Sequence, residues 1–558
     1  MQRDRLLSRC HRVCLLVIGA AAVAVASTVE AEDAKPIALT RLTPAGGQAG
    51  TSVTVTATGE FPNWPVSVWT DRDQLRWEPQ EASGTFAVTI PADGAVGLHR
   101  VRFTDASGAT AIRPFIVGMI PEIVESEPNN RRDEATALDG LPITINGVLE
   151  KSGDVDGYRL QLQAGETLVA AVVANEQLGS PIDAVLELVE LSGGYVARNL
   201  DAVGLDPRIV HTITRDGDYV VRVYAFPSQP NSTIGLSGSA DSLYRLTLTT
   251  SGFLTGSLPT VAASDSETAL LPTGANLPEP PEPRVMPPPA PESAERSAWL
   301  SFPDVAGAVE IPFAPSSLAP QAASQQARHA EVPFVASGWF QQADATESYQ
   351  VNVSKGQKLQ VHLQSQSIGF EADPLLSIRD AAGTSLSSKQ ERDTRFSWTP
   401  PEDGTYTFEI RDRRGRFGPG HLYRLTVEPE TPAVAASIGA DQFTATVGEP
   451  LAIDIGVARQ FGFSETVEFV LTAAPNGVMA EVVSSPNEGD AAKKVSLTLT
   501  ATAPASGPLR IGRRVAGSDT LEPVVFGNGR LTEAWLTVIP APPAEDDTAT
   551  TDNTAAAE

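Results

Sequence analysis

An all-β chain of tandem β-sandwich domains is predicted by three features of the sequence. Apolar and polar residues alternate in short runs, as in Thr51-Ser-Val-Thr-Val-Thr-Ala-Thr and Tyr158-Arg-Leu-Gln-Leu, the period of a half-buried strand. Gly (45) and Pro (44) are frequent and aromatics are sparse, which suits many short strands and turns better than helices. Whole blocks also recur. Gly147 stands eleven positions before Tyr158 and Gly338 eleven before Tyr349; Tyr158 to Gly165 is seven, as is Tyr349 to Gly356. Asp183 matches Asp373, Gly217-Asp-Tyr matches Gly404-Thr-Tyr, and Tyr244-Arg-Leu-Thr-Leu matches Tyr423-Arg-Leu-Thr-Val. A period this long means two copies of a whole domain, since solenoid repeats are far shorter. The 558 residues leave room for about three to five domains.

Residues 1–31 read as a secretory signal peptide. Arg3, Arg5, Arg9 and Arg12 form a basic start, residues 13–26 an apolar run short for a bilayer, and Val29-Glu-Ala a small-x-small cleavage site. Both cysteines, Cys10 and Cys14, fall inside that segment. The mature chain is therefore expected to lack disulfides, thiolate metal sites and thiol nucleophiles. The formal charge is -27, and the signal segment itself carries +2, so its removal leaves -29. Such acidity disfavours nucleic acid and anionic membranes and leaves cations, basic polymers and neutral surfaces as partners. No second apolar stretch reaches membrane length, which predicts a periplasmic, cell-surface or secreted protein with no integral span after cleavage.

Residues 35–120 alternate through Thr85-Phe-Ala-Val-Thr-Ile, Leu98-His-Arg-Val-Arg-Phe and Arg113-Pro-Phe-Ile-Val, the pattern of an antiparallel sandwich. The Pro44-x-Gly-Gly-x-x-Gly-Thr opening and Gly97-Leu-His-Arg-Val resemble an immunoglobulin-like domain of the plexin-and-transcription-factor (IPT/TIG) type, which brings no catalytic residue. Trp64, Trp69 and Trp77 lie close together; exposed, they would stack on sugar rings, but core or edge packing is the commoner fate.

Residues 121–250 open on Glu125-Ser-Glu-Pro-Asn-Asn, an oxygen-rich turn in which Pro128 blocks helix. Then come Gly153-Asp-Val-Asp-Gly, Ala164-Gly-Glu, Ser180-Pro-Ile-Asp, Gly217-Asp-Tyr and Tyr244-Arg-Leu. This order resembles the bacterial pre-peptidase C-terminal domain, a β-sandwich appended to secreted peptidases and other exported proteins and similar to the collagen-binding domain of bacterial collagenases. The resemblance covers about 125 residues in this copy and about 95 in the weaker second one. It implies a cation site. Calcium takes six to eight oxygen ligands from flexible loops, and Glu125, Glu127, Asn129, Asn130, Asp154 and Asp156 match the acidic linker and Asp pair of the collagenase relatives. The alternative is that Asn and Asp cap turns while Glu stays solvated.

Residues 251–332 are Pro/Ala-rich, with Leu277-Pro-Glu-Pro-Pro-Glu-Pro and Pro287-Pro-Pro, and are expected to form an extended polyproline II spacer. Ala298-Trp-Leu-Ser-Phe and Val309-Glu-Ile-Pro-Phe are equally compatible with strands completing the second copy. That copy spans 333–430. Counting back from the shared tyrosine, Asp154 aligns with Ala345 and Asp156 with Glu347, and no E-x-E-P-N-N precedes Gly338, so its cation site is expected to be lost or weakened. Arg411-Asp-Arg-Arg-Gly-Arg is a basic loop on an acidic protein, either a docking point for an anion or a solvated strand end. Residues 433–540 alternate again and resemble a terminal immunoglobulin-like sandwich, with Pro475-Asn-Gly-Val as a turn. Residues 541–558 are acidic, without periodicity, and expected to be disordered.

No H-E-x-x-H, G-x-S-x-G or Walker motif occurs, and the six histidines show no metal-ligand spacing. The expectation is a non-catalytic exported protein for binding, adhesion or scaffolding. Its partner would be an extracellular polysaccharide, protein polymer or envelope protein. The alternative is an accessory or targeting subunit of a secreted hydrolase or peptidase system.

Overall fold

The computed structural model describes residues 36–541 apart from 94, 230–234, 291–295, 319, 322–327, 390–392, 528 and 530. The expected signal peptide and residues 542–558 of the expected tail lie outside the described residues. Alternating runs become strands, and the strands pair into ten sheets that stack as five sandwiches. No helix among the described residues is long and apolar enough to cross a membrane.

The first sandwich comprises β1 (Ala38–Thr43), β2 (Gly46–Gln48), β3 (Ser52–Glu60), β4 (Ser67–Thr70), β5 (Arg76–Pro79), β6 (Thr85–Thr89), β7 (Gly97–Asp105), β8 (Gly108–Ala109) and β9 (Arg113–Gly118). Sheets β1-β3-β6-β5 and β2-β9-β7-β4 close on Val55, Phe86, Phe103 and Phe115. Trp64 and Trp77 pack edge-on to Phe86, with centroids 5.2 and 5.6 Å away, so these two indoles serve the core. Trp69 instead lies under the Arg102 guanidinium at 5.9 Å.

The second sandwich follows with β10 (Glu122–Val124), β11 (Thr136–Ala137), β12 (Ile143–Val148), β13 (Asp156–Leu162), β14 (Thr167–Val173), β15 (Ile182–Glu190), β16 (Tyr195–Asn199), β17 (Arg208–Thr212), β18 (Gly217–Pro227) and β19 (Leu243–Thr249). Its sheets are β10-β12-β19-β14-β17 and β11-β13-β18-β15-β16. The fourth sandwich repeats this order strand for strand. One sheet there runs Pro320–Gln321, Phe334–Trp339, Leu422–Pro429, Leu359–Gln364 and Arg395–Trp398. The other runs Arg328–Glu331, Thr346–Val353, Gly404–Asp412, Pro374–Arg379 and Ser385–Lys389.

Sterics explain the recurring glycine and tyrosine. Gly147 pairs with Tyr244 and Gly338 with Tyr423 across the sheet. A Cβ on either glycine would overlap the tyrosine ring or its hydroxyl. The tyrosine thus folds over a bare backbone and its hydroxyl meets that of a second buried tyrosine, Tyr158 or Tyr349. The next residue on the strand points the other way. Arg245 lies against Gly46 of the first sandwich and pairs with Glu122 at 2.6 Å. Its counterpart Arg424 donates to the hydroxyl and carbonyl oxygens of Thr260, at 3.0 and 2.8 Å, in the third sandwich.

That third sandwich overturns the expected spacer. Residues 251–332 fold as β20 (Phe253–Leu258), β21 (Ala262–Ala263), β22 (Thr268–Ala275), β23 (Arg284–Met286), β24 (Ser297–Leu300) and β25 (Val309–Ala314), followed by the first two strands of the fourth sandwich. Sheets β20-β22-β23 and β21-β25-β24 enclose Leu254, Leu270, Leu300 and Ile311. The pieces at Ala298 and Val309 pair with each other; those that complete the second copy are Pro320–Gln321 and Arg328–Glu331. Burial of these apolar residues outweighs the extended preference of the prolines, most of which lie between strands, with Pro272 and Pro312 inside β22 and β25.

The third sandwich also repeats the first. In both, the opening hairpin slips register at one point, between Leu39 and Arg41 and between Leu254 and Gly256. Gly59 and Gly274 each lie against the partner strand's carbonyl, and a parallel pair follows, β2 with β9 and β21 with β25. The duplicated unit is therefore a pair of sandwiches. Between β3 and β6 the first copy has 24 residues, 61–84; between β22 and β23 the second has 8, 276–283. The missing 16 residues hold the counterparts of β4 and β5, so each small sheet has lost one edge strand.

The fifth sandwich, from Ala433–Ile438 to Ala534–Ile539, packs a five-stranded sheet on a six-stranded one around Ile455, Phe469, Leu497 and Leu536. The Pro475 turn closes with Val478 N–H donating to Pro475 O. This domain returns to the first. Buried Arg102 donates to Asp441 O at 2.7 Å and pairs with its carboxylate at 2.8 Å, and Ile112 packs on the fifth core. Replacing Gly338 by Ala is expected to cost about 1–3 kcal/mol through the Tyr423 overlap. Urea unfolding followed by tryptophan fluorescence should show the lowered midpoint; an unchanged midpoint would refute the steric account.

Candidate functional site

The turn Glu125–Asn130 leaves β10 at one end of the second sandwich, with Glu125 N–H donating to Asn146 O at 3.0 Å. Facing it, the chain tightens at Gly153, whose φ of 88° suits glycine. Asp154 N–H closes that turn on Lys151 O at 3.1 Å, and the chain then enters β13 at Asp156. Gly157 N–H donates to Asn129 O at 3.1 Å, which holds the two segments side by side.

One carboxylate oxygen from each of Glu127, Asp154 and Asp156 lies within 4.8 Å of the other two. Asp154 and Asp156 are buried and Glu127 is exposed, so the cluster has one open mouth. Asn129 is fully buried, and neither atom of its amide has a partner. Oδ1 of Asp154 and Oδ1 of Asp156 are likewise unpartnered. Leaving such groups unsatisfied costs about 1–3 kcal/mol each. A donor set made only of oxygens suits a hard cation.

Four of the six expected ligands therefore belong to this neighbourhood, and two stand behind it. Glu125 meets Asp156 from the core side: Oε1 accepts from Val148 N–H, and Oε2 lies 2.9 Å from the Tyr244 hydroxyl and 3.2 Å from that of Tyr158. Asn130 Oδ1 accepts from Val155 N–H at 3.2 Å, while its Nδ2 and Asn129 N–H donate to Glu127 Oε2. The two tyrosines escaped the sequence reading as site residues. Their recurrence in both copies was visible, but what their hydroxyls would touch was not.

Tyr244 also donates to Asp156 Oδ2 at 2.6 Å, and the two hydroxyls lie 2.5 Å apart. Two phenol protons cannot serve all four of these contacts, and a proton retained by Glu125 or Asp156 would supply a third donor. Burial first, then the mutual repulsion of the two carboxylates, pushes Asp156 well above the usual carboxylate range. Burial raises Glu125 as well, and both tyrosines are pushed up for the same reason. In the second copy the tyrosine pair remains at 2.9 Å, while Ala345 and Glu347 replace the aspartates. Among the described residues, Glu127, Asp154 and Asp156 form the one such acidic cluster.

The basic loop is knit into its own domain. Asp412 accepts from Arg414 and Arg416 N–H, Arg413 pairs with Asp373 at 3.3 Å, and Arg416 donates to Glu371 O. His99 is buried with Nε2 2.6 Å from Ala95 O, and burial lowers its pKa to about 4. Among the described residues no histidine is hydrogen-bonded to a serine hydroxyl or a carboxylate.

Tandem β-sandwiches with one oxygen-lined cluster define the class of this protein. No protein-family model matches the chain. It is 27% identical over 202 residues to the probable subtilase-type serine protease of Deinococcus radiodurans, a match covering 32% of this chain. The chain spans only 28% of that protease. Among solved structures it is similar to the pre-peptidase C-terminal domain of the collagenase from Bacillus anthracis, at 15% identity and TM-score 0.16, over 19% of this chain and 100% of that one. It is also similar to the insect immune protein hemolin, at 10% identity and TM-score 0.21, over 91% and 100%.

In a chelator, the protonated carboxylate pair sets the sign of a pH dependence. The folded state keeps a proton that the unfolded chain releases near the ordinary values of 3.8 and 4.5, so stability falls as pH rises above about 4. Asp156→Asn, which retains the acceptor for Tyr244, should flatten this slope. Urea midpoints at pH 5 and pH 8 decide it, and equal slopes in both proteins would count against a shared proton.

Proposed function

We propose that this chain is a non-catalytic, exported modular protein that binds or scaffolds an extracellular polymer or envelope protein. Its second sandwich is of the pre-peptidase C-terminal type, and calcium stiffens the junction where that sandwich begins. The observation carrying the calcium reading is the set of buried, unpartnered oxygens on Asn129, Asp154 and Asp156 beside exposed Glu127. A divalent cation would satisfy them and offset the mutual repulsion of the gathered carboxylates. Glu125 and the tyrosine pair position Asp156, and Asn130 positions Glu127. The fourth sandwich, lacking the aspartates, would serve as structure alone. The non-catalytic reading is supported by the absence of catalytic motifs and of a histidine paired with a nucleophile or carboxylate among the described residues. A second reading, an accessory part of a secreted peptidase system, is favoured by the 202-residue similarity to a subtilase-type protease.

Calorimetry of the full chain in EDTA and in millimolar calcium tests the ion. We expect calcium to raise one unfolding transition by several degrees, as ligand binding to the folded state alone requires. Asp154→Asn should remove the increment while keeping an acceptor for Glu150 N–H, which the carboxylate receives at 2.6 Å. Identical transitions with and without calcium would refute the reading. Retention on insoluble polysaccharide or collagen-like fibres checks binding, and casein or glycan hydrolysis by the purified chain would overturn the non-catalytic assignment.

A further inference from the structure

The third sandwich has no counterparts of β4 and β5, so two of its sheet edges lack an outer strand, and β23 and β24, which carry those edges, border one cleft. The cleft, about 850 Å³, lies where the first, third and fifth sandwiches meet, and it shares no residue with the carboxylate cluster. β23 and β24 line its third-sandwich wall, and Trp69 its first-sandwich wall. Beyond the pairing with β22, the backbone of Arg284–Met286 makes no hydrogen bond among the described residues. Val285 at its centre is 53% exposed. An unpaired edge of this kind offers alternating N–H and C=O groups that a polypeptide in extended conformation matches in register.

Charge selects the peptide. Five arginines and three carboxylates line the cleft, a positive balance on a chain of net -27. Arg100 pairs with Asp71 at 3.0 Å and Arg510 with Glu533 at 2.6 Å. Arg72 is held by the carbonyls of Val96 and Leu98 and lies over the Trp299 ring, and Ser297 donates to Glu310. Arg284 and Arg296 remain. Both are exposed, both border the cleft, and neither pairs with a carboxylate among the described residues.

We propose that this cleft binds an extended acidic peptide segment of a partner protein, added as a strand to the open edge of β23, with its carboxylates on Arg284 and Arg296. Guanidinium and carboxylate pair two bonds at a time, which fixes the register of the added strand. Val285 and the two indoles cover its apolar residues. This names a partner for the binding role proposed above, and because it is independent of the cation site, either can fail alone.

The test is fluorescence anisotropy of the full chain with a labelled ten-residue peptide alternating aspartate and valine. Saturable binding is expected, weakening at least tenfold in the Arg284→Glu/Arg296→Glu double variant and with lysine replacing aspartate in the peptide. N-methylation of alternate peptide nitrogens, which needs no protein variant, should abolish it. Absence of saturable binding, equal affinity for the N-methylated peptide, or an unchanged double variant would overturn the proposal. So would equal competition by an acidic oligosaccharide, which lacks the peptide backbone, or binding seen only after residues 542–558 are deleted, which would assign the edge to this chain's own acidic segment.

Discussion

One strand with two faces sustains the architecture. In β19 and its counterpart Leu422–Pro429, the tyrosine points inward over a glycine and the following arginine points outward into the preceding sandwich. The inward contact ties the two sheets of the domain through paired hydroxyls. The outward one fastens that domain to its neighbour. Arg245 seats against Gly46 of the first sandwich with its charge met at 2.6 Å by Glu122 of its own domain, whereas Arg424 has only the two oxygens of Thr260, and its burial lowers its pKa to about 10. A buried guanidinium without a counter-ion is costly, so the second junction depends more on the apolar contacts around it, among them Leu258, Phe370 and Leu422.

The same tyrosine explains why the oxygen-rich cluster sits where it does. Asp156 and Tyr158 share a face of β13, and Tyr244 comes from the neighbouring sheet, so the hydroxyls and the carboxylate meet at one end of the core. Removal of one member leaves the others with unsatisfied oxygens. In the second copy Glu347 stands where Asp156 would be, and the tyrosines persist because they hold the sandwich together independently of any ion.

Strands were legible wherever alternation ran over five or more residues, and the repeat was legible because the overlap at Gly147 and Gly338 leaves no other residue possible. The third sandwich was not. Its strands are short, prolines interrupt them, and its spacing differs: Gly59 and Gly274 are 215 apart while Gly147 and Gly338 are 191 apart, a shift of 24 of which the shorter β22–β23 connection supplies 16. No single offset aligns the pair. At the site, the motif singled out six polar residues, of which the fold gathers Glu127, Asp154 and Asp156 with Asn129 beside them; spacing along a turn does not say which side a carboxylate faces. Glu125 and Glu127, two residues apart, end on the tyrosines and at the mouth respectively. Asn129 was legible as a turn residue, and only the fold reveals that its amide is sealed from water.

The contact between the first and last sandwiches changes how the protein would carry tension. Arg102 and Asp441, 339 residues apart, close the first body onto the last, while Trp299 of the third lies against Gly97 of the first. The outer bodies are therefore held to each other directly and not only through the chain between them. A pull applied to them would be shared by the buried ion pair, the apolar seat of Ile112 and the Trp299 contact.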